Sequence, residues 1–166
     1  RVHLIRSEYD AILSTSKSIN KDNSLLNCRL NGFDKNKPDV IIIDFDLKIK
    51  KKLQIFKNIN KRKVFIVTSI SKSKKISYLK KKGIKFITLK SIHNKNDFIN
   101  LFKILKKYGY NRILIESGLI FLQKLIKDNL IFNLYMFQSC SRLGKSGKNN
   151  ISSSFIKKLK LKKRLN

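Results

Sequence analysis

Apolar runs of strand length recur along the chain at 11–14, 40–45, 64–68, 84–89, 113–115 and 134–137. They are continuous rather than alternating, which is the pattern of strands covered on both faces. Stretches with helical spacing lie between them. Ile76 and Leu79 lead to Gly83, and Phe98, Leu101, Phe102, Ile104 and Leu105 lead to Gly109, so both predicted helices end at a glycine able to take the left-handed cap. A third helix is predicted over 119–128, with Leu122, Leu125 and Ile126 on one face and its end near Asn129. Strands alternating with helices predict an α/β domain with a largely parallel central sheet and flanking helices. Stretches rich in Asn, Lys and Ser at 15–24, 34–38 and 141–154 are predicted loops. No internal repeat or linker divides the 166 residues, so a single domain over 1–166 is expected.

Charge changes this picture less than its size suggests. The formal net charge is +29, which by itself points to a polyanionic partner. Yet the cations comprise 32 Lys and only 7 Arg, spread over nearly every segment and accompanied by 24 Ile and 16 Asn. That excess is what AT-rich codons produce. Nucleic-acid surfaces favour Arg interleaved with Gly and aromatics, a pattern this chain lacks. Lysine runs such as 48–52 therefore read as solvated surface, and no specific nucleic-acid partner is expected. Cys28 and Cys140 form no CxxC pair, so neither a disulfide framework nor a metal site is predicted, and a reducing cytoplasm fits. No apolar run approaches 18 residues, and the first residues hold no signal-peptide pattern, so no membrane association is expected.

No GxGxxG, Walker, HExxH or GxSxG motif occurs, and chemistry has to be sought in three subtler segments. In the first, the strand at 11–14 empties into Ser14, Thr15, Ser16 and Ser18, then Asp22, Asn23, Leu26 and Arg29. Hydroxyls after a strand offer donors to phosphates or ribose, and Arg6 and Arg29 bracket them with two cations in a chain poor in Arg; the alternative is a polar loop with two surface arginines. In the second, the strand at 113–115 runs into Glu116, Ser117 and Gly118 at a helix entry. Glycine there lets a ligand approach the backbone and the helix N-terminus favours a pyrophosphate, or else Glu116 simply complements the helix dipole. The third is the basic glycine loop at 141–147.

Taken together, in this order and spacing, these segments resemble the reductase domain of riboflavin biosynthesis, the C-terminal half of the bifunctional pyrimidine deaminase/reductase. The matching text is His3 to Arg29, Pro38 to Asp44, Gly83 to Leu89, Gly109 to Gly118 and Asn129 to Gly144, nearly the whole chain. The resemblance implies a dihydrofolate-reductase-like fold, a homodimer, and NADPH as the donor that reduces 5-amino-6-(5-phosphoribosylamino)uracil, a phosphorylated pyrimidine, to its ribitylamino product. It also implies residue roles: Arg6 and Arg29 for the substrate phosphate, Asp22 or Asn23 for a ribose hydroxyl, and Leu26 for the substrate wall. Ser14, Thr15, Ser16, Ser18 and Asp44 fall on the cofactor side, and Glu116 with Gly118 at the nicotinamide end, Glu116 as the catalytic candidate.

The chain departs from the family pattern at Asn23, Ser24, Phe45 and Ser117, where the pattern has a second aspartate, a proline, a small polar residue and a glycine. The family's final strand and the zinc deaminase that usually precedes the reductase are also not found, so deamination is expected on a removed half or a separate protein. These departures leave a second reading, a non-catalytic relative that binds nucleotide or substrate, and the basic charge leaves a third, a nucleic-acid-binding module on an old fold.

Overall fold

A computed structural model describes residues 1–32, 37–57 and 59–137. Residues 1–118 form one compact unit and residues 119–166 a second. The first unit holds five strands, β1 (Ala11–Thr15), β2 (Asp39–Ile43), β3 (Val64–Thr68), β4 (Lys85–Thr88) and β5 (Ile113–Ile115), and four helices, α1 (Val2–Ser7), α2 (Ser16–Asp22), α3 (Lys74–Lys81) and α4 (Lys95–Lys107). Every strand pair is parallel, in the order β4-β3-β2-β1-β5. The expected α/β architecture with a parallel sheet is what is found.

The continuous apolar runs have their predicted cause, since β1, β2 and β3 are buried almost throughout. Ile12, Val40, Ile42, Val64 and Ile66 share one cluster with Ile76 and Leu79 of α3 and with Ile49 and Ile55. Side chains alternate across a strand, so Leu13, Ile41, Phe65 and Val67 belong to the opposite face. There Phe65 meets the rings of Tyr108 and Tyr110, just beyond α4, whose Phe98, Leu101 and Leu105 are buried.

Helix boundaries follow local chemistry. Ser73 caps α3 through the amide of Ile76. Asn94 and Asp97 form a reciprocal capping box on α4. Gly83 and Gly109 follow their helices at φ +89° and +92°, a region where L side chains are strained; at Gly83 a Cβ would also come within 3.1 Å of Ile59.

Three expectations are corrected. The stretch 15–24 is not a loop, because residues 16–22 are helical, with Thr15 as N-cap and Ile19, 1% exposed, as the single anchor. One buried residue in seven produces no visible period, which also explains why α1, with no buried residue, escapes a pattern reading. The strand expected at 40–45 stops at Ile43, because Asp44 opens a turn. The strand expected at 134–137 is absent; Tyr135, Met136 and Phe137 are about half exposed. A strand exists only where a ladder receives it, and four apolar residues carry no information about that.

In the second unit the described residues begin with α5 (Leu119–Lys127), in which Leu125 is fully buried, and Asn129 follows at φ 55° as anticipated. The glycine loop at 141–147, Cys140 and the predicted loop at 141–154 lie outside the described residues.

Candidate functional site

The strand order places the site. From β1 the chain builds outward through β2, β3 and β4, then α4 returns it to the other side of β1 as β5. The carboxyl ends of β1 and β5 therefore flank the point where the strand order reverses, and such a switch point is where open parallel sheets bind ligands. The residues found there are Thr15 to Ser18 after β1 and Glu116 to Gly118 after β5. The amide of Glu116 donates to Leu13 O at 2.9 Å, so the ladder fixes the strand end from which its carboxylate projects.

Three of these residues make a small donor system. Thr15 Oγ1 accepts the amide of Ser18 at 3.3 Å, Ser18 Oγ accepts the amide of Gly118 at 3.1 Å, and the two hydroxyl oxygens lie 3.1 Å apart. Two hydroxyl hydrogens share one mutual bond, so one remains to donate outward whichever way that bond runs. Gly118 is exposed, and among the described residues a Cβ there would meet only Ser18 Oγ, at 3.7 Å. Ser16 begins α2 half-buried beside them, whereas Ser14 is 2% exposed inside β1.

Glu116 and Arg6, 110 residues apart, form a two-pronged salt bridge, Nε to Oε1 at 2.7 Å and Nη2 to Oε2 at 2.6 Å. The side chains keep 24% and 13% of their surface, and each carboxylate oxygen retains a lone pair for a ligand. The remaining arm of Arg6 donates to Asn27 O at 3.0 Å. Arg6 thereby links the end of β5 to segment 25–29. Other contacts from α1 reach that segment: Cys28 Sγ donates to His3 O, and His3 Nδ1 lies 3.0 Å from Asn27 O and 3.3 Å from the Arg29 amide, donating to one or accepting from the other according to tautomer.

The remaining sequence candidates occupy different positions. Asp44 is 2% exposed and its two oxygens accept the amides of Lys48 and Ile49 at 2.8 Å, so its carboxylate shapes the turn after β2. Asn23 ends α2 at φ 46° and accepts the Gln54 amide, while Asp22 is exposed beside it. Leu26, at φ 47° and 6% exposed, belongs to the core. Arg29 is exposed and lines a pocket of about 260 Å³ together with Asn27, Lys37, Lys61 and Arg62. Lys61 and Arg62 were not anticipated, because the run Lys61-Arg62-Lys63 reads as solvated surface. The scarcity of Arg that drew attention to Arg6 and Arg29 was the available signal.

Fold and family agree. The profile of the RibD C-terminal domain matches residues 1–165. The chain belongs to the RibD C-terminal domain family. Solved structures with the same fold include RibD of Acinetobacter baumannii (TM-score 0.64, 19% identity), covering 78% of this chain and 34% of that one. The diaminohydroxyphosphoribosylaminopyrimidine deaminase/5-amino-6-(5-phosphoribosylamino)uracil reductase of Thermotoga maritima (TM-score 0.59, 20% identity) covers 76% of this chain and 32% of that one. For the Saccharomyces riboflavin biosynthesis reductase Rib7 (TM-score 0.58, 23% identity) the shares are 75% and 55%. The chain thus spans about a third of the RibD chains it resembles. No curated protein matches it by sequence. The dihydrofolate-reductase-like fold expected from the resemblance is therefore the fold of this RibD C-terminal domain. Among its described residues no helix is long and apolar enough to cross a membrane, and no group of three metal-ligating side chains is found.

Proposed function

We propose that this chain is a riboflavin-pathway pyrimidine reductase domain that uses NADPH to reduce 5-amino-6-(5-phosphoribosylamino)uracil to the ribitylamino product. The observation that carries this reading is the Glu116–Arg6 pair, placed beside the Thr15–Ser18–Gly118 donor system at the switch point of a parallel sheet. Membership in the RibD C-terminal domain family supports it.

The residues at the switch point suit a nicotinamide nucleotide. A spare hydroxyl donor and an exposed glycine without a side chain permit close approach of an amide or phosphate, and the half-buried carboxylate can accept from a carboxamide or a sugar hydroxyl. The cofactor, when bound, supplies the hydride. This chain supplies position. Arg6 holds Glu116 in one rotamer, Glu116 orients the hydroxyl-bearing ribosyl carbons toward the nicotinamide end, and Arg29 receives the phosphate in the basic pocket. Asp44 serves through the turn it organises, and Leu26 as the apolar wall under segment 25–29. The domain works as a homodimer in the cytoplasm, with deamination carried out by another protein or another part of a longer one.

The deciding experiment follows absorbance at 340 nm with purified protein, NADPH and enzymatically generated substrate. Substrate-dependent oxidation, abolished by Glu116→Gln, is expected. Folded protein that binds both ligands without oxidation would instead make it a non-catalytic relative.

A further inference from the structure

We propose that Arg62 is a positioning residue for the phosphate end of this site, acting through the backbone of Leu25 and Leu26 to present Arg29 and Lys61 to one pocket; the assignment of that end to a sugar phosphate rests on the function proposed above. Arg62 lies just before β3, between two exposed lysines, yet is 6% exposed itself. Its Nη2 donates to Leu25 O and its Nη1 to Leu26 O at 2.5 Å and to Pro38 O at 3.4 Å. Burial pulls its pKa down to about 10, with Asp39 opposing that fall and Arg6 adding to it, so the group stays cationic at neutral pH. Among the described residues its Nε has no hydrogen-bond partner, and every acceptor of its guanidinium is a carbonyl.

A buried cation bonded only to carbonyls is a costly way to fill space. An apolar side chain of equal volume would avoid that cost but leave two adjacent carbonyls unbonded. Those carbonyls flank the part of the chain that most needs holding. Segment 23–28 has no regular structure, and both Asn23 and Leu26 sit at positive φ without being glycine. Arg62 holds the carbonyls of residues 25 and 26, and Arg6 holds that of 27. Two guanidinium groups thus fix three consecutive peptides, one anchored at the hydride end through Glu116 and the other lining the pocket with Arg29 and Lys61. Among the described lining residues Arg29, Lys37, Lys61 and Arg62 are cationic and none is acidic, which suits a phosphate monoester. Only the fork of Arg reaches carbonyls on both 25–26 and 38 at once; the single ammonium of Lys does not.

The test is titration of ribose 5-phosphate, with ribose as control, into the full chain and into Arg62→Lys, Arg62→Met and Lys61→Gln, alongside NADPH binding, melting temperature and steady-state kinetics. Wild type should bind the phosphate ester and not the free sugar. Arg62→Lys should weaken that binding by about tenfold to a hundredfold, since a small displacement of Arg29 suffices, and raise KM for substrate more than it lowers kcat. NADPH affinity should stay within about twofold of wild type, because among the described residues the hydrogen bonds of the Thr15, Ser18 and Gly118 donor system do not run to segment 25–26. Lys61→Gln should weaken ribose 5-phosphate binding by roughly fivefold and flatten its salt dependence. Equal loss of NADPH and sugar-phosphate binding, or a lowered melting temperature with unchanged sugar-phosphate binding, would show Arg62 to be merely structural. If Arg62→Met fails to fold, Arg62→Lys, which keeps the charge and the bulk, decides between these results. Wild type that ignores ribose 5-phosphate overturns the proposal directly. Wild type that binds it but does not oxidise NADPH overturns the reductase reading and leaves the positioning role standing.

Discussion

The amino ends and the carboxyl ends of the same parallel strands are built to opposite rules. Before β1 and β5, Asp10 Oδ2 accepts the amides of Asn111 and Arg112, both at 2.8 Å. At the start of β2, Asp39 accepts the Lys63 amide and the Tyr110 hydroxyl, both at 2.6 Å. These carboxylates pin one strand entry to the next. At the carboxyl ends of β1 and β5 the hydroxyls of Thr15 and Ser18 leave one hydrogen to donate, and Glu116 keeps open lone pairs. Even among carboxyl ends the contrast holds, because the Asp44 carboxylate after β2 is buried and occupied by two amides. Of these strand ends, those of β1 and β5 keep spare hydrogen-bonding capacity where the strand order reverses. The cationic pocket of Lys37, Lys61 and Arg62 lies toward the amino ends of β2 and β3.

Substitutions at the two ends should therefore separate activity from stability. The largest effect on activity is expected for Glu116→Gln, a loss of roughly 100-fold or more in kcat, together with a loss of stability of about 1–3 kcal/mol because Arg6 is left without its anionic partner. Equal activity would move the catalytic carboxylate elsewhere. In the core between the two ends, Leu101→Ala should cost about 2–5 kcal/mol, read from urea midpoints, because the side chain is fully buried. At the carboxyl end Ser18→Ala should weaken NADPH binding by about tenfold and destabilise by about 1 kcal/mol, as it leaves the Gly118 amide without its acceptor. Tyr110→Phe, at the amino end, should cost about 1 kcal/mol and leave kcat and KM unchanged; altered kinetics would break the division of labour.

Tyr110 also gives the amino end a pH signature. Burial, followed by its hydrogen bond to Asp39, pushes the phenol well above its ordinary range. A group whose folded pKa is raised contributes stability that is complete below the unfolded value, about 10 for tyrosine, and is lost as pH rises beyond it. Wild type should thus show denaturation midpoints falling above that pH with a slope that Tyr110→Phe reduces. The smallest effect is expected at Asn94→Ala, about 0.5 kcal/mol from loss of the α4 cap, with no change in ligand affinity.

The strands β1, β2 and β3 were legible because burial on both faces forces an uninterrupted apolar run, β5 because its three residues are all apolar although only partly buried, and α3 and α4 because burial on one face forces a period that ends at Gly83 and Gly109. Helix α2 was not legible, since the two serines, Asn20 and Asp22 that make up most of it are weak helix formers and its only signals are Thr15 and Ile19. Of the site, Arg6, Thr15, Ser18, Arg29, Glu116 and Gly118 could be nominated from hydroxyls, scarce arginines and a strand-to-helix glycine. Their partnerships could not.

The sequence alone determined that the chain folds as a parallel α/β layer, since hydrophobic pattern and capping residues act over a few positions and need no distant partner. Only the tertiary structure decided that Arg6 grips Glu116 from 110 residues away, that Asp44 turns inward to its own loop, and that Arg62 is buried between two exposed lysines. Hydrogen bonds between charged groups and backbone depend on which segments the fold brings within 3 Å. A lysine-rich chain gives the same local text to a solvated cation and to a buried one.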